Sequence, residues 1–171
     1  MPTIHLIEGP VGAGKSTFST SLALRKGGVH IALDEWFATL FSKDRPDTDF
    51  FPWYIERKSR CLELIWQLTC KILTSGMDVV LELGLIQRES RQEFYNRILA
   101  EGFDFSVYVL NAPRDIRRER VQHRNVVKGP TFSMVVPDHV FDIASDMWEA
   151  PDECESTERA IQFISTANGD N

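Results

Sequence analysis

The stretch Gly9-Pro10-Val11-Gly12-Ala13-Gly14-Lys15-Ser16-Thr17 decides how the rest of the chain is read. It satisfies G-x-x-x-x-G-K-[ST] in full. Its surroundings are those the pattern needs. The short apolar run Thr3-Ile4-His5-Leu6-Ile7-Glu8 before it is bounded like a strand, and residues 14–24 after it read as a helix that stops ahead of Gly27-Gly28. A nucleoside triphosphate is a dense polyanion, so many backbone N–H groups must converge on it without obstruction. Glycine backbone permits the approach, and a following helix N-terminus supplies free donors and a favourable dipole. Residues 9–17 are therefore expected to bind the nucleotide. Lys15 would place a mobile charge on the β- and γ-phosphates, and Ser16 would offer a hydroxyl to Mg²⁺.

Working outward, strands and helices alternate. Strands are predicted over residues 29–33, 79–83, 105–110 and 160–165. Helices are predicted over 54–74, 90–101, 113–127 and 136–148, with a polar loop at 43–49. The run 79–83 is apolar apart from Glu82, as a strand buried on both faces must be. This alternation predicts an α/β fold with a parallel sheet covered on both faces. Ligands of such sheets bind beyond the carboxyl ends of the strands, which directs attention to residues 9–17, Asp34-Glu35, 82–85 and 111–114.

Composition bounds the answer. The chain has 171 residues, enough for one domain with a real core and too few for two ordinary ones. A hydrophobic fraction of 43% with 26% charged residues is globular, which excludes disorder. No apolar run approaches the roughly 20 residues of a membrane helix. The net charge of −6 argues against a surface that grips nucleic acid broadly. The charge is unevenly spread: residues 138–171 hold nine acids and one base, whereas residues 1–137 hold 16 acids and 18 bases. In the predicted topology the acidic stretch is expected beyond the basic helix, on the base side of the nucleotide. The cysteines, Cys61, Cys70 and Cys154, are few and odd in number, and their spacing suits neither a disulfide framework nor a zinc site. With no signal-peptide pattern at Met1–His5, they predict a cytoplasmic protein.

The kind of nucleotide-binding protein follows from what accompanies the loop. A GTPase would carry Asp-x-x-Gly and Asn-Lys-x-Asp, and neither is present. A motor-type or AAA-type ATPase needs more chain and an apolar strand ending in Asp-Glu. Instead there is the loop 9–17, then Leu33-Asp34-Glu35-Trp36, then residues 79–84, then the basic run from Arg117 to Asn125. In this order and spacing, over about residues 4–155, the chain resembles the P-loop kinases that include polynucleotide kinase, chloramphenicol phosphotransferase and the zeta toxins, with gluconate and shikimate kinases more distant. The resemblance implies a three-layer α/β/α sandwich, its five-stranded parallel sheet in the order 2-3-1-4-5. It implies one kinase domain over residues 1–171, a lid at about 114–135, and use of ATP with Mg²⁺.

Each remaining group carries two readings. Asp34 follows the second strand, where the resembled kinases keep the carboxylate that takes the acceptor proton; its other reading is an N-cap of the next helix. Arg117, Arg120 and Arg124 share one helix face, at i, i+3 and i+7. In the family such arginines come over the nucleotide and stabilise the transferring group, with Arg124 ranked first, then Arg120, then Arg117; otherwise they are a solvated face. Glu82 is expected either to orient Mg²⁺ or to form an internal ion pair. Arg57 and Trp53 are expected at the acceptor, or else as an exposed charge and a core aromatic. Asp44, Asp47 and Asp49 suit either a cationic acceptor or a solvated loop.

The leading expectation is thus an ATP-dependent kinase acting on a hydroxyl of a small molecule. A 5′-hydroxyl polynucleotide or nucleoside kinase stands second, and an ATP-binding regulator or toxin-like protein third. No membrane partner and no nucleic acid is expected under the leading reading, and the acceptor and oligomeric state stay open.

Overall fold

The structure is a computed structural model that describes residues 1–130 and 132–167. In chain order the elements are β1 (Thr3–Glu8), α1 (Lys15–Lys26), β2 (Val29–Ala32), α2 (Leu33–Phe41), α3 (Phe50–Thr74), β3 (Val79–Glu82), α4 (Arg88–Ala100), β4 (Asp104–Asn111), α5 (Arg114–Val127), α6 (Asp138–Asp146), α7 (Glu153–Glu158) and β5 (Gln162–Ser165). The strands form one sheet in the order 2-3-1-4-5, parallel at every pairing. Residues 131 and 168–171 of the expected domain and lid lie outside the described residues.

Alternation along the central strands builds two cores. Ile4 and Leu6 of β1, Val79 and Leu81 of β3, and Val107 and Val109 of β4 point to one face, where Phe37, Ile65, Trp66, Phe94 and Ile98 from α2, α3 and α4 cover them. Ile7, Val80, Tyr108 and Leu110 point to the other, under Leu22 and Ala23 of α1. A third, smaller cluster joins Val121 of α5 to Phe141 of α6 and Val136, against Val11 of the phosphate loop. Parallel registry aligns the carboxyl ends: Ala32 pairs with Glu82, Glu8 with Val109, and Asn111 with Ser165. Among the described residues no helix is long and apolar enough to cross a membrane.

Three local outcomes depart from the sequence reading. The long helix begins at Phe50, four residues before its predicted start at Tyr54, because Pro52 sits in the first turn, where a missing N–H costs nothing. A short helix, α7, was not expected. Its signal is Asp152-x-x-Glu155: the Asp152 side chain accepts from the Glu155 N–H at 2.8 Å. The acidic stretch is also placed differently. Asp142 and Asp146 of α6 pair with Arg114 at 2.6 Å, and Asp142 with Arg118 at 2.5 Å. These acids neutralise the outer face of the basic helix. Glu155 goes to the interior, where it takes two bonds from Arg91 at 2.7 and 2.8 Å.

Candidate active site

The phosphate loop links β1 to α1, and its shape requires glycine at two points. A Cβ at Gly9 (φ 140°) would lie 2.2 Å from the Leu110 carbonyl oxygen, and one at Gly12 (φ 78°) would lie 2.5 Å from that of Arg117. Backbone from β4 and from α5 therefore presses on the loop from outside, and no side chain fits between. Lys15 folds back along the loop and donates to the carbonyls of Gly9 at 3.0 Å and Pro10 at 2.9 Å. Burial holds its ammonium below the usual lysine range, and the carboxylates of Glu82 and Asp34 oppose that.

Ser16 donates to Glu82 Oε1 at 3.0 Å. Burial alone would raise the Glu82 carboxyl, but His30, the Lys15 charge and the Ser16 bond outweigh it and keep the group in its ionised form. His30 Nε2 lies 3.5 Å from Glu82 Oε2, an ion-pair distance without hydrogen-bond geometry, so that oxygen is buried and has no bonded partner among the described residues. A hydroxyl beside a free anionic oxygen is a donor set suited to a hard divalent cation. The donor set of Ser16 and Glu82 fits Mg²⁺, and Glu82 also makes an internal pair with His30.

Asp34 is not an N-cap. The helix α2 starts one residue earlier, at Leu33, and its N-cap is Ala32, so Asp34 stands in the first turn, where the helix dipole favours a carboxylate. Its side chain is exposed to the cleft but deep within it. That setting raises its pKa, and the charge of Glu82 adds to the effect; Lys15, Lys58 and Arg124 act the other way.

Two cavities meet at this place. One, of about 780 Å³, runs from the loop along Phe18, Arg120, Val121, Ile164 and Thr166. The second, of about 390 Å³, holds Asp34, His30, Tyr54 and Lys58, with Phe132 and Met134 on the lid side. Gly12, Lys15, Ser16, Glu82 and Arg124 line both. The loop, Ser16, Glu82 and Arg124 thus occupy the junction.

The three arginines expected of the lid separate. Arg124 lines both cavities, and its Nε is buried without a partner among the described residues. Arg120 donates to Thr166 through Nη1 at 3.0 Å and through Nη2 to the Thr166 carbonyl, and the Thr166 hydroxyl donates to the Ala13 carbonyl at 2.9 Å. Arg117, expected over the nucleotide, is 7% exposed and engaged elsewhere: it donates to the carbonyls of Ala112 at 3.0 Å and Val11 at 2.9 Å, and to Ser145 at 3.1 Å. It braces the loop from behind. Asn125 joins the end of α5 to Val136, exchanging bonds of 2.8 and 3.0 Å with the Val136 backbone.

Arg57 and Trp53 line neither cavity. The Arg57 guanidinium lies 4.7 Å from the Trp53 ring and bonds Glu56 at 3.0 Å, and Trp53 packs edge-on against Phe37 at 5.7 Å. Tyr54 and Lys58, each one residue further along α3, face the second cavity instead. One residue is about 100° of helix rotation, and the sequence pattern could not resolve it. The acids Asp44, Asp47 and Asp49 are also absent from that cavity. His30 and Thr166 were missed as well, since both act only through neighbours that the sheet brings beside them.

Residues 4–151 match the family described as AAA domain, here of the P-loop kinase type. Among solved structures the chain is similar to a gluconokinase from Sinorhizobium meliloti 1021 (20% identity, TM-score 0.59, covering 98% of this chain and 84% of that one). It is also similar to a sugar kinase from Janibacter sp. HTCC2649 (16% identity, TM-score 0.62, 100% and 88%). A third likeness is to a chain of the Pnkp1/Rnl/Hen1 RNA repair complex (18% identity, TM-score 0.64, 85% and 43%). At these identities the likeness is one of fold. No curated protein matches the sequence.

Proposed function

On the premise that this chain belongs to the AAA domain family, in its P-loop kinase type, we propose that it transfers the γ-phosphoryl group of ATP to a hydroxyl of a small molecule. The observation that carries the reading is the junction of the two cavities: the larger suits a nucleotide, the smaller an acceptor, and the phosphate loop, Ser16, Glu82 and Arg124 lie where they meet.

In this reading the loop backbone and Lys15 hold the phosphates, with Lys15 leaving the Gly9 and Pro10 carbonyls for the polyanion. Ser16 and Glu82 hold Mg²⁺, which supplies charge neutralisation on the phosphate oxygens when bound. The acceptor hydroxyl lies at Asp34. As its oxygen bonds to the γ-phosphorus, its proton passes to the Asp34 carboxylate, and the bond from phosphorus to the β-γ bridging oxygen breaks to release ADP. Arg124 stabilises the charge on the transferring group. Arg120 and Arg117 act on the walls of the site, the first through Thr166 and the second through Val11.

The test is a γ-phosphoryl transfer screen over sugars, sugar acids, nucleosides, antibiotics and 5′-hydroxyl oligonucleotides, run with wild type and Asp34→Asn. Transfer to a small hydroxylated acceptor, lowered by about two orders of magnitude or more in Asp34→Asn with ATP affinity retained, is expected. Transfer confined to oligonucleotides would move the reading to a polynucleotide kinase. Tight ATP binding with no transfer at all would overturn it in favour of a regulator.

A further inference from the structure

The kinase reading leaves one wall of the smaller cavity without a role. Asp34 takes the proton, Glu82 is bonded to Ser16 and paired with His30, Lys15 belongs to the loop, and Arg124 spans both cavities. On the wall that α3 supplies, Tyr54 and Lys58 stand one turn apart and so share a face. Across from them is α2, which carries Asp34.

Lys58 is half-buried, and its ammonium makes no hydrogen bond and no ion pair among the described residues. Its neighbours on the helix behave otherwise: Arg57 bonds Glu56 at 3.0 Å, and Arg60 also pairs with Glu56. Lys58 is thus a cation drawn partly out of water with nothing bound to it, an arrangement that costs free energy until an anion arrives. Burial depresses its pKa and Asp34 partly restores it, which puts the two groups in each other's field. On the side opposite, Phe132, Met134 and Val136 are apolar, and Ser133 adds one hydroxyl-bearing side chain. Glu35 is the other acid on the α2 side, and it is exposed. A volume of about 390 Å³ is at the low end for ligand pockets, the size of a sugar or a nucleoside.

We infer that Lys58, with Tyr54 one turn away on the same wall, is the acceptor-recognition group, and that the acceptor is a hydroxylated compound bearing an anionic substituent, a carboxylate or a phosphate. Its hydroxyl rests at Asp34 and its anion at Lys58. The ammonium offsets the repulsion that Asp34 would otherwise exert on such a substrate. The inference rests on the kinase reading for the place of the reacting hydroxyl.

The experiment uses matched probes. D-gluconate is compared with D-glucose for the carboxylate arm, and adenosine 3′-monophosphate with adenosine for the phosphate arm. Transfer from ATP and calorimetric binding with a non-hydrolysable ATP analogue and Mg²⁺ are both measured, in wild type, Lys58→Gln and Lys58→Arg. Wild type is expected to favour the anionic member of at least one pair, roughly 10- to 100-fold, and the arm that shows it identifies the anion. Lys58→Gln should collapse that ratio toward one, and Lys58→Arg should keep most of it. Equal use of neutral and anionic probes, or a ratio unmoved in Lys58→Gln, overturns the inference while leaving the kinase reading intact. Lys58-dependent binding of the anion without transfer upholds the recognition site and sinks the kinase reading. Absence of both transfer and Lys58-dependent binding overturns the two together.

Discussion

Arg117 ties helix α5 to the phosphate loop: its Nη1 donates to the Val11 carbonyl at 2.9 Å. The contact is also one of backbone, since the Arg117 carbonyl lies where a side chain at Gly12 would have to go. Helix α5 is therefore part of the loop's mould at its first turn and reaches the cavities further along, at Arg120 and Arg124.

Arg117→Ala should consequently behave as a structural lesion with a binding phenotype. It removes three bonds from a side chain that is 7% exposed and leaves the Val11 and Ala112 carbonyls unsatisfied. A loss of about 2–4 kcal/mol of stability is expected, read by urea unfolding. ATP affinity should fall as well, because the loop loses its brace. A variant of unchanged stability that lost only turnover would show that Arg117 faces the phosphates after all.

Arg120 and Arg124 should part company in kinetics. Arg124 reaches both cavities with an Nε that has no partner among the described residues, whereas Arg120 is bonded to Thr166 and, through it, to Ala13. Arg124→Ala is expected to lower kcat by about 10²–10³ with little change in ATP affinity. Arg120→Ala should raise the KM for ATP more than it lowers kcat. An equal loss in both parameters for Arg124→Ala would move that residue from the transferring group to ground-state binding.

How much of this was legible beforehand differs by level. The alternation of elements carried the parallel sheet and directed attention to the carboxyl ends of its strands, where Asp34, Ser16 and Glu82 stand, whereas the strand order was legible only through the resemblance to the P-loop kinases. Composition could not say which charges meet. The basic helix looked like a single patch, yet its outer arginines, 114 and 118, are neutralised by α6, its innermost, 117, is buried, and 120 and 124 line the cavities. The wall of the smaller cavity was missed by one residue on α3. Both Arg57 and Lys58 are basic and both Trp53 and Tyr54 are aromatic, so no pattern distinguishes the face that turns inward.

The setting of Asp34 predicts the acid side of the pH profile. Its place in the cleft and the Glu82 charge raise its carboxyl above the ordinary aspartate range, so the proposed base becomes protonated, and activity falls, at a higher pH than an unperturbed aspartate would give. The neighbours fix the sign of two further shifts. Glu82→Gln removes a negative charge and should move the acid limb to lower pH, while Lys58→Gln removes a positive one and should move it to higher pH. These limbs are read from kcat/KM against pH. Shifts in the same direction for the two variants would assign the limb to a group other than Asp34.

A last prediction concerns the buried cluster under the loop. Glu8, the residue before Gly9, is 4% exposed and accepts from the Tyr95 hydroxyl at 3.0 and 3.1 Å. Arg91 lies 3.6 Å from it but is committed to Glu155 by a two-pronged pair at 2.7 and 2.8 Å. One guanidinium thus serves two carboxylates. Burial pushes the Glu8 carboxyl up to about 8; Arg91 and Tyr95 oppose the rise, and Glu155 adds to it. The native state then keeps a proton that the unfolded chain releases near its ordinary value. The stabilisation that proton confers is fully present below that value and is lost as pH rises through about 8. Its slope approaches 1.4 kcal/mol per pH unit in between. Urea unfolding at pH 5, 6.5 and 8 should show wild type losing stability along this slope. Glu8→Gln, which keeps an oxygen for Tyr95 and has no proton to lose, should be flatter and gain on wild type most at pH 8. Parallel curves for the two proteins would mean that Glu8 is ionised in the folded state and that Arg91 is shared more evenly than its bond lengths indicate.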